Sequence, residues 1–335
     1  MTVIRNDVVR ILLYYAGCFL LAALIAPHLY NAGKALAEIT ANKETNAFLD
    51  WLGGSARRAE FSRYFKRSLA LAALLLLPTL IISLRRSAQS RLDDGEWTLN
   101  RKKTKVVKVQ DHRIQRNPQR FLHLSTGLLI SAPVILLAAY FATEADWFTW
   151  RDVTDWSRVF RKSVIPAFFT SILEEVLFRG LLFAVFVRCL GLKMGAVCLS
   201  LVFASVHFLT PTSQVTIENP GVALAGFSYL VALGAQLLDV RTFIGEFITL
   251  FIAALILASA RLRTASLWLP IGIHAGWVFA FKFFSRVTRE APERSELSYL
   301  LIDDNGRSGL VPICALLATA GLMRIFLSLQ KPHLR

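Results

Sequence analysis

The 335-residue chain is too apolar for a soluble domain of this size, with 55% hydrophobic and only 18% charged residues. Its 38 Lys and Arg exceed its 23 Asp and Glu, which gives a net charge of +15. This composition excludes disordered, collagen-like and disulfide-stapled chains. The four cysteines all lie inside apolar stretches without a CxxC spacing, so they indicate neither a disulfide framework nor a metal site. We therefore predict a membrane protein.

Long apolar runs bounded by charged residues predict nine membrane-crossing helices. They lie near residues 11–29, 69–84, 124–142, 164–187, 194–210, 221–238, 243–260, 265–281 and 309–329. Irregular backbone is costly in lipid, and no alternation typical of a membrane barrel is present. Because the run at 69–84 is short and that at 221–238 is rich in glycine, we expect an all-α fold with eight or nine crossings.

The first 150 residues form the predicted N-terminal membrane region. Within it, residues 30–67 mix aromatic and basic side chains, which is typical of an interfacial amphipathic helix or, equally, of a solvated loop. Residues 85–120 carry eleven basic against four acidic side chains. The positive-inside rule places this loop in the cytoplasm, where it can bind anionic lipid. A single-strand nucleic-acid binder would place aromatic residues among the basic ones. Since Trp97 is the one such aromatic residue in this loop, a nucleic-acid partner is not expected. We predict a multi-pass protein of the cell membrane.

One predicted helix carries a charged cluster in mid-membrane. Between Lys162 and Arg188 the only charged residues are Glu174, Glu175 and Arg179. An ionisable group at that depth costs about 2.5–3.5 kcal/mol on insertion scales, so the cluster requires partners or a wet cavity and indicates a functional site. The alternative is a buried ionic knot that only fixes helix packing.

Helical spacing divides the roles within this cluster. Glu175 and Arg179 are four residues apart on one face, in the order that favours an ion pair. Glu174 points about 100° away and stays outside that pair. An acid in a partly desolvated cavity is a candidate general base, so we assign this role to Glu174.

Two later apolar helices each contribute one histidine, His207 and His274. If they meet Glu174 in one cavity, the acid and one imidazole can deprotonate a water while the second imidazole stabilises an oxyanion. The same three side chains could instead hold zinc with one open position. No HExxH is present to favour zinc, and neither GxSxG nor a plausible Cys–His pair indicates a covalent nucleophile. We therefore expect no cofactor, with zinc as the alternative.

The ordered motifs resemble those of the CPBP family of intramembrane endopeptidases, which includes the type II CAAX prenyl proteases and bacteriocin-processing or immunity-related relatives. The motifs are Glu174-Glu175-x-x-x-Arg179, then Phe203-x-x-x-His207, then His274 after SLWLPIGI. The resemblance covers about residues 160–285, which we take with residues 151–159 as the protease core. Residues 286–335 form the predicted C-terminal loop and last helix.

The resemblance implies a glutamate-dependent endopeptidase that cleaves a membrane-associated peptide or protein, with the CAAX type as one option. By that resemblance Glu174 and His207 activate the water, Glu175 and Arg179 support them, and His274 contributes to an oxyanion site. The family usually has Asn four residues after this histidine, whereas this chain has Val278, which cannot donate a hydrogen bond. A scaffold or immunity protein of the same fold is thus an alternative, and a proton-coupled transporter is a weaker one.

Overall fold

The protein is almost entirely helical over the part of the chain that the computed structural model describes, residues 2–42, 46–93, 114–208, 217–237 and 240–330. In chain order the helices are α1 (Thr2–Asn42), α2 (Ala47–Arg57), α3 (Phe61–Asp93), α4 (Arg120–Glu144), α5 (Trp156–Glu175), α6 (Phe183–Leu190), α7 (Leu192–His207), α8 (Ala225–Leu237), α9 (Val240–Thr264), α10 (Trp268–Val287), α11 (Glu296–Leu301) and α12 (Leu310–Leu329). A π-helical segment, Val176–Leu182, connects α5 to α6 without a break.

Each of the nine apolar segments predicted from the sequence overlaps one of these helices, so the helical membrane bundle is confirmed. The described residues also contain one small antiparallel pair of strands, β1 (Phe148–Trp150) and β2 (Thr288–Glu290). Both strands lie outside the nine apolar segments. They connect the end of α4 to the end of α10 and do not alter the fold class.

Five helical stretches within the described ranges are long and apolar enough to cross a membrane. They are Val8–Asn42, Phe61–Ser83, Arg120–Glu144, Ile244–Thr264 and Leu310–Leu329. The chain is therefore a multi-pass membrane protein. The remaining predicted crossings are shorter or interrupted by charged and polar residues, as in α5, α7, α8 and α10. The predicted total of eight or nine crossings stays a prediction.

The contacts along the chain divide it into two compact units, of which the first falls within residues 1–108 and 206–240. Here α1 packs along α3 and also contacts α2 and α8. Its core consists of small residues of α1 against aromatic rings, with the Phe65 and Tyr229 ring centroids 4.6 Å apart. The Lys34 ammonium donates to the Ala59 and Arg57 carbonyl oxygens at 3.0 Å, which satisfies acceptors at the end of α2. Residues 30–67 are thus largely helical, which favours the amphipathic-helix prediction over a loop.

The second unit, within residues 109–205 and 241–335, is built around α10, which packs chiefly against α4 and α5. A hydrophobic core joins α4, α9, α10 and α12. The predicted divisions after residues 150 and 285 follow the motifs and stay predictions. Most of the predicted lipid-binding loop, residues 94–113, lies outside the described residues.

Glycines set the contact between α4 and α10. Gly272 and Gly276 on α10 face Gly127 and Ser131 on α4, a small-xxx-small pattern on both helices that lets backbones approach closely. A Cβ on Gly127 would lie 2.7 Å from the Ile273 backbone nitrogen. His274 lies two residues from each glycine of α10, about 200° around the helix. The glycine contact therefore turns this histidine away from α4.

Helix α5 covers that other side of α10 and runs antiparallel to it. Near the start of α5, the Phe160 ring lies 5.8 Å from the Phe279 ring, centroid to centroid. At the end of α5, Glu175 contacts His274. Higher residue numbers in α5 thus meet lower numbers in α10, and the acidic end of α5 reaches the histidine.

Candidate active site

A buried ion pair forms the base of the candidate site. Arg179 Nη1 donates to Glu175 Oε1 at 2.8 Å, and the two side chains are 1% and 0% exposed. The (i, i+4) pair predicted from helical spacing is therefore present. Charged groups this deeply buried require full pairing, because an uncompensated charge in the interior is strongly unfavourable.

Two further contacts fix the Arg179 guanidinium. Its Nη2 donates to the Ala254 carbonyl oxygen of α9 at 3.2 Å, and its Cζ lies 4.4 Å from the centroid of the Phe203 ring. The Phe203 ring is in turn 6.2 Å from the His274 ring. The aromatic residue of the second motif thus stacks on the arginine of the first motif. Spacing alone could not reveal the Ala254 contact, because it depends on how α9 packs.

Arg179 lies in the π-helical segment, which directly follows Glu175. π-helical turns are rare and occur often at functional sites. No feature of the sequence predicts this turn. The apolar run at residues 164–187 predicts one helix, and the structure adds the π-helical turn within it.

His274 lies between the two glutamates. Its Nδ1 is 2.8 Å from Glu175 Oε1, and its Nε2 is 3.8 Å from Glu174 Oε2. Because an ionised carboxylate only accepts hydrogen bonds, the short contact assigns a proton to Nδ1. The longer separation exceeds a direct hydrogen bond. The sequence argument left Glu174 alone outside the ion pair, whereas the structure places it opposite His274.

Exposure distinguishes the two glutamates. The Glu175 side chain has no exposed surface, while that of Glu174 is 21% exposed. A reacting group must be accessible to water and substrate, whereas a supporting group need not be. Of the two glutamates, Glu174 is therefore the more accessible, and the roles that the resemblance implies for them stay predictions.

The structure brings four of the five predicted site residues together: Glu174, Glu175, Arg179 and His274. The fifth, His207, is the last residue of α7 and falls in the first compact unit, so its part in the site stays a prediction. Across the described residues, no three His, Cys, Asp or Glu side chains are grouped so that they could hold a metal ion. Sequence reasoning missed the glycine pattern that orients His274, although that pattern is readable in the chain.

Comparison with known families matches residues 156–280 to the type II CAAX prenyl endopeptidase Rce1-like family. The match covers less than half of the chain and supports a domain of this type at these residues. The matched range begins at α5 and ends within α10, so it contains every residue of the buried cluster. No curated protein and no solved structure matches the chain significantly.

This match supports a peptide hydrolase, and together with the apolar helices it supports an intramembrane endopeptidase of the CAAX type. A membrane-associated protein substrate follows from the same family. The family model ends at residue 280, which is close to the end of the resemblance read from the motifs.

Proposed function

We propose that the protein hydrolyses a peptide bond of a membrane-associated substrate by activating a water with Glu174 and His207, beside the His274 imidazole. The observation that carries this proposal is the 3.8 Å separation of Glu174 Oε2 from His274 Nε2. It is too long for a direct hydrogen bond, and both groups can bind the same water. The site joins an acid to an imidazole within a largely buried cluster, as water activation requires.

In the proposed reaction the Glu174 carboxylate removes a proton from the water, and the resulting hydroxide attacks the scissile carbonyl carbon. His207 assists this step, as in the family that the chain resembles. The protonated Glu174 then gives its proton to the leaving amine when the C–N bond breaks. Each proton taken from the water is thereby delivered to a product.

His274 stabilises the negative charge that develops on the carbonyl oxygen. A carboxylate on Nδ1 orients the ring and directs Nε2 toward the reacting atoms, as the acidic member of a catalytic triad does. Glu175 supplies that carboxylate, and Arg179 balances its charge. Because Glu175 pairs with both Arg179 and His274, its charge is compensated in the apolar interior.

We further propose that the prenylated CAAX class is the substrate and that the protein lies in the cell membrane. The short or charged helices α5, α7, α8 and α10 complete the eight or nine crossings. Anionic lipid binds the basic residues 85–120. These proposals are supported by the family's description, the apolar segments and the charge of that loop.

The decisive experiment measures cleavage of a farnesylated CAAX peptide by purified variants in proteoliposomes. We expect Glu174→Gln and His207→Ala each to abolish cleavage while the protein remains folded. The matched controls are Glu246→Gln, an acid on α9, and His28→Ala on α1, which should keep full activity. A Glu174→Gln variant with wild-type activity would exclude the proposed base.

The cellular substrate requires a separate measurement. Membrane fractions from cells that carry the wild type or Glu174→Gln are compared by terminal proteomics. We expect substrates to show shifted carboxyl termini only with the wild type. Identical termini in both samples, together with an inactive peptide assay, would favour the non-proteolytic scaffold reading.

A further inference from the structure

A stripe of buried residues runs along α5 toward the site. Its members, Ser163, Ala167, Ser171 and Glu175, follow at intervals of four residues on one face. Ser163 Oγ donates to the Val159 carbonyl oxygen at 2.9 Å, the usual arrangement for a serine inside a helix. Ser171 is 0% exposed, yet its hydroxyl makes no hydrogen bond within the described part of the chain. This buried hydroxyl therefore calls for a polar partner.

Glu175 also has a buried polar atom without a hydrogen-bond partner in the described part of the chain. Its Oε1 carries both short contacts, to Arg179 Nη1 and to His274 Nδ1. Its Oε2 is buried and has no hydrogen-bond partner among the residues that the structure describes. An ionised carboxylate has acceptor sites on both oxygens, and burying one of them without a donor is unfavourable.

The Ser171 hydroxyl and the Glu175 carboxylate belong to residues one helical turn apart. Residues four apart on a helix have Cβ atoms about 5–6 Å from each other. Helical side chains also lean toward the amino terminus, so the Glu175 carboxylate extends over the turn that contains Ser171. A hydroxyl can donate and a carboxylate can only accept, so the two groups are complementary. A buried water between them would have a polar partner on each side.

We propose that Ser171 is a positioning residue that holds the second oxygen of Glu175 through one buried water. The hydroxyl donates to this water, the water donates to Oε2, and the rotation of the carboxylate is thereby fixed. Oε1 then stays directed at Arg179 and His274. This inference rests on the proposed function, because its consequence is the placement of the His274 ring opposite Glu174.

Loss of the hydroxyl should affect the chemical step more than substrate binding. Ser171 is fully buried and acts through Glu175, so it does not touch the substrate. A carboxylate that rotates freely lets the imidazole move relative to the attacked carbonyl. Misplacement of a catalytic group by about 1 Å can cost about 100-fold in rate.

The test compares Ser171→Ala with Ser163→Ala in the farnesylated CAAX peptide assay. Both serines are fully buried on the same face of the same helix, and they differ in whether the hydroxyl bonds the preceding turn. We expect Ser171→Ala to lower kcat by about 10- to 100-fold with little change in KM, and to shift the pH profile of kcat. Ser163→Ala should change none of these by more than about twofold.

Ser171→Cys is a second variant that preserves the size of the side chain but replaces the hydroxyl with a weak donor. It should give an intermediate kcat, and this result guards against a folding defect in the alanine variant. Wild-type kcat in Ser171→Ala, or equal losses in both alanine variants, would overturn the inference while leaving the proposed function intact. If the wild type and Glu174→Gln were equally inactive, the proposed function itself would fail, and the inference with it.

Discussion

The Nδ1 atom of His274 lies 2.8 Å from Oε1 of Glu175, a carboxylate with no exposed surface. The two residues are 99 positions apart in the chain and are joined by the packing of α10 on α5. A buried acid behind an imidazole fixes which nitrogen carries the proton and how the ring is oriented. The family's second glutamate thereby acquires a physical role distinct from that of the first.

Arg179 should be the most sensitive residue of the cluster for stability. Arg179→Ala removes the only ion-pair partner of Glu175 besides His274 among the described residues, and breaking a buried pair typically costs about 3–5 kcal/mol. The stability of Arg179→Lys should lie between those of the wild type and Arg179→Ala, because one ammonium cannot reproduce the forked contacts to Glu175 and the Ala254 carbonyl. The measurement is the free energy of unfolding in detergent micelles.

The control for this prediction is Arg158→Ala near the start of α5. Arg158 pairs with Asp155 at 3.1 Å, but the two side chains are 63% and 43% exposed. Exposed pairs contribute little, so this variant should unfold almost as the wild type does. If both arginine variants lost equal stability, the buried pair would have no special importance.

Val278 should limit the rate of the reaction. It lies one turn after His274 on α10, where the family usually has an asparagine, and a valine side chain donates no hydrogen bond. We expect Val278→Asn to raise kcat by about 10- to 100-fold, since one oxyanion donor is typically worth about 100-fold or more. The control, Val278→Thr, adds a shorter donor and should give a smaller gain. Unchanged kcat in Val278→Asn would show that this position lies outside the oxyanion site.

The sequence predicted the cluster well where the evidence is local. The Glu175–Arg179 pair follows from helical spacing alone, and the structure confirms it at 2.8 Å. The motif predicts that His274 belongs to the site. It does not predict the contact with Glu175, because that contact depends on the antiparallel packing of α5 and α10. The π turn at Val176–Leu182 gave no readable signal.

The number of membrane-crossing helices is harder to predict from the sequence than the positions of the helices. Each of the nine apolar segments overlaps a helix, yet only five helical stretches satisfy both length and hydropathy among the described residues. The helices that fail carry the polar residues of the site or are short, as α5 and α7 show. The polar residues of the candidate site thus lower the hydropathy of the helices that carry them.

Removal of metal distinguishes water activation by Glu174 from zinc catalysis. If the carboxylate and imidazoles act directly, dialysis against a strong chelator should leave the cleavage rate of the farnesylated peptide unchanged. Elemental analysis of the purified protein should then find no stoichiometric zinc. A loss of activity on chelation that zinc restores would favour the metal-dependent alternative, with His274 and Glu174 as two of its ligands.

The close contact between α4 and α10 should tolerate no side chain at Gly272. A Cβ there would overlap the carbonyl oxygen of Leu124, which is backbone and cannot move aside. We expect Gly272→Ala to destabilise the protein by about 1–3 kcal/mol, as overpacking usually does, and to lower kcat because His274 is two residues away on the same helix. Gly321→Ala on α12 is the matched control, since a Cβ there meets nothing within 4 Å. It should be neutral or stabilise by up to about 1 kcal/mol, the helix-propensity difference between the two residues. Unfolding and cleavage are measured on both variants, and equal stability would show that α4 and α10 do not need this glycine.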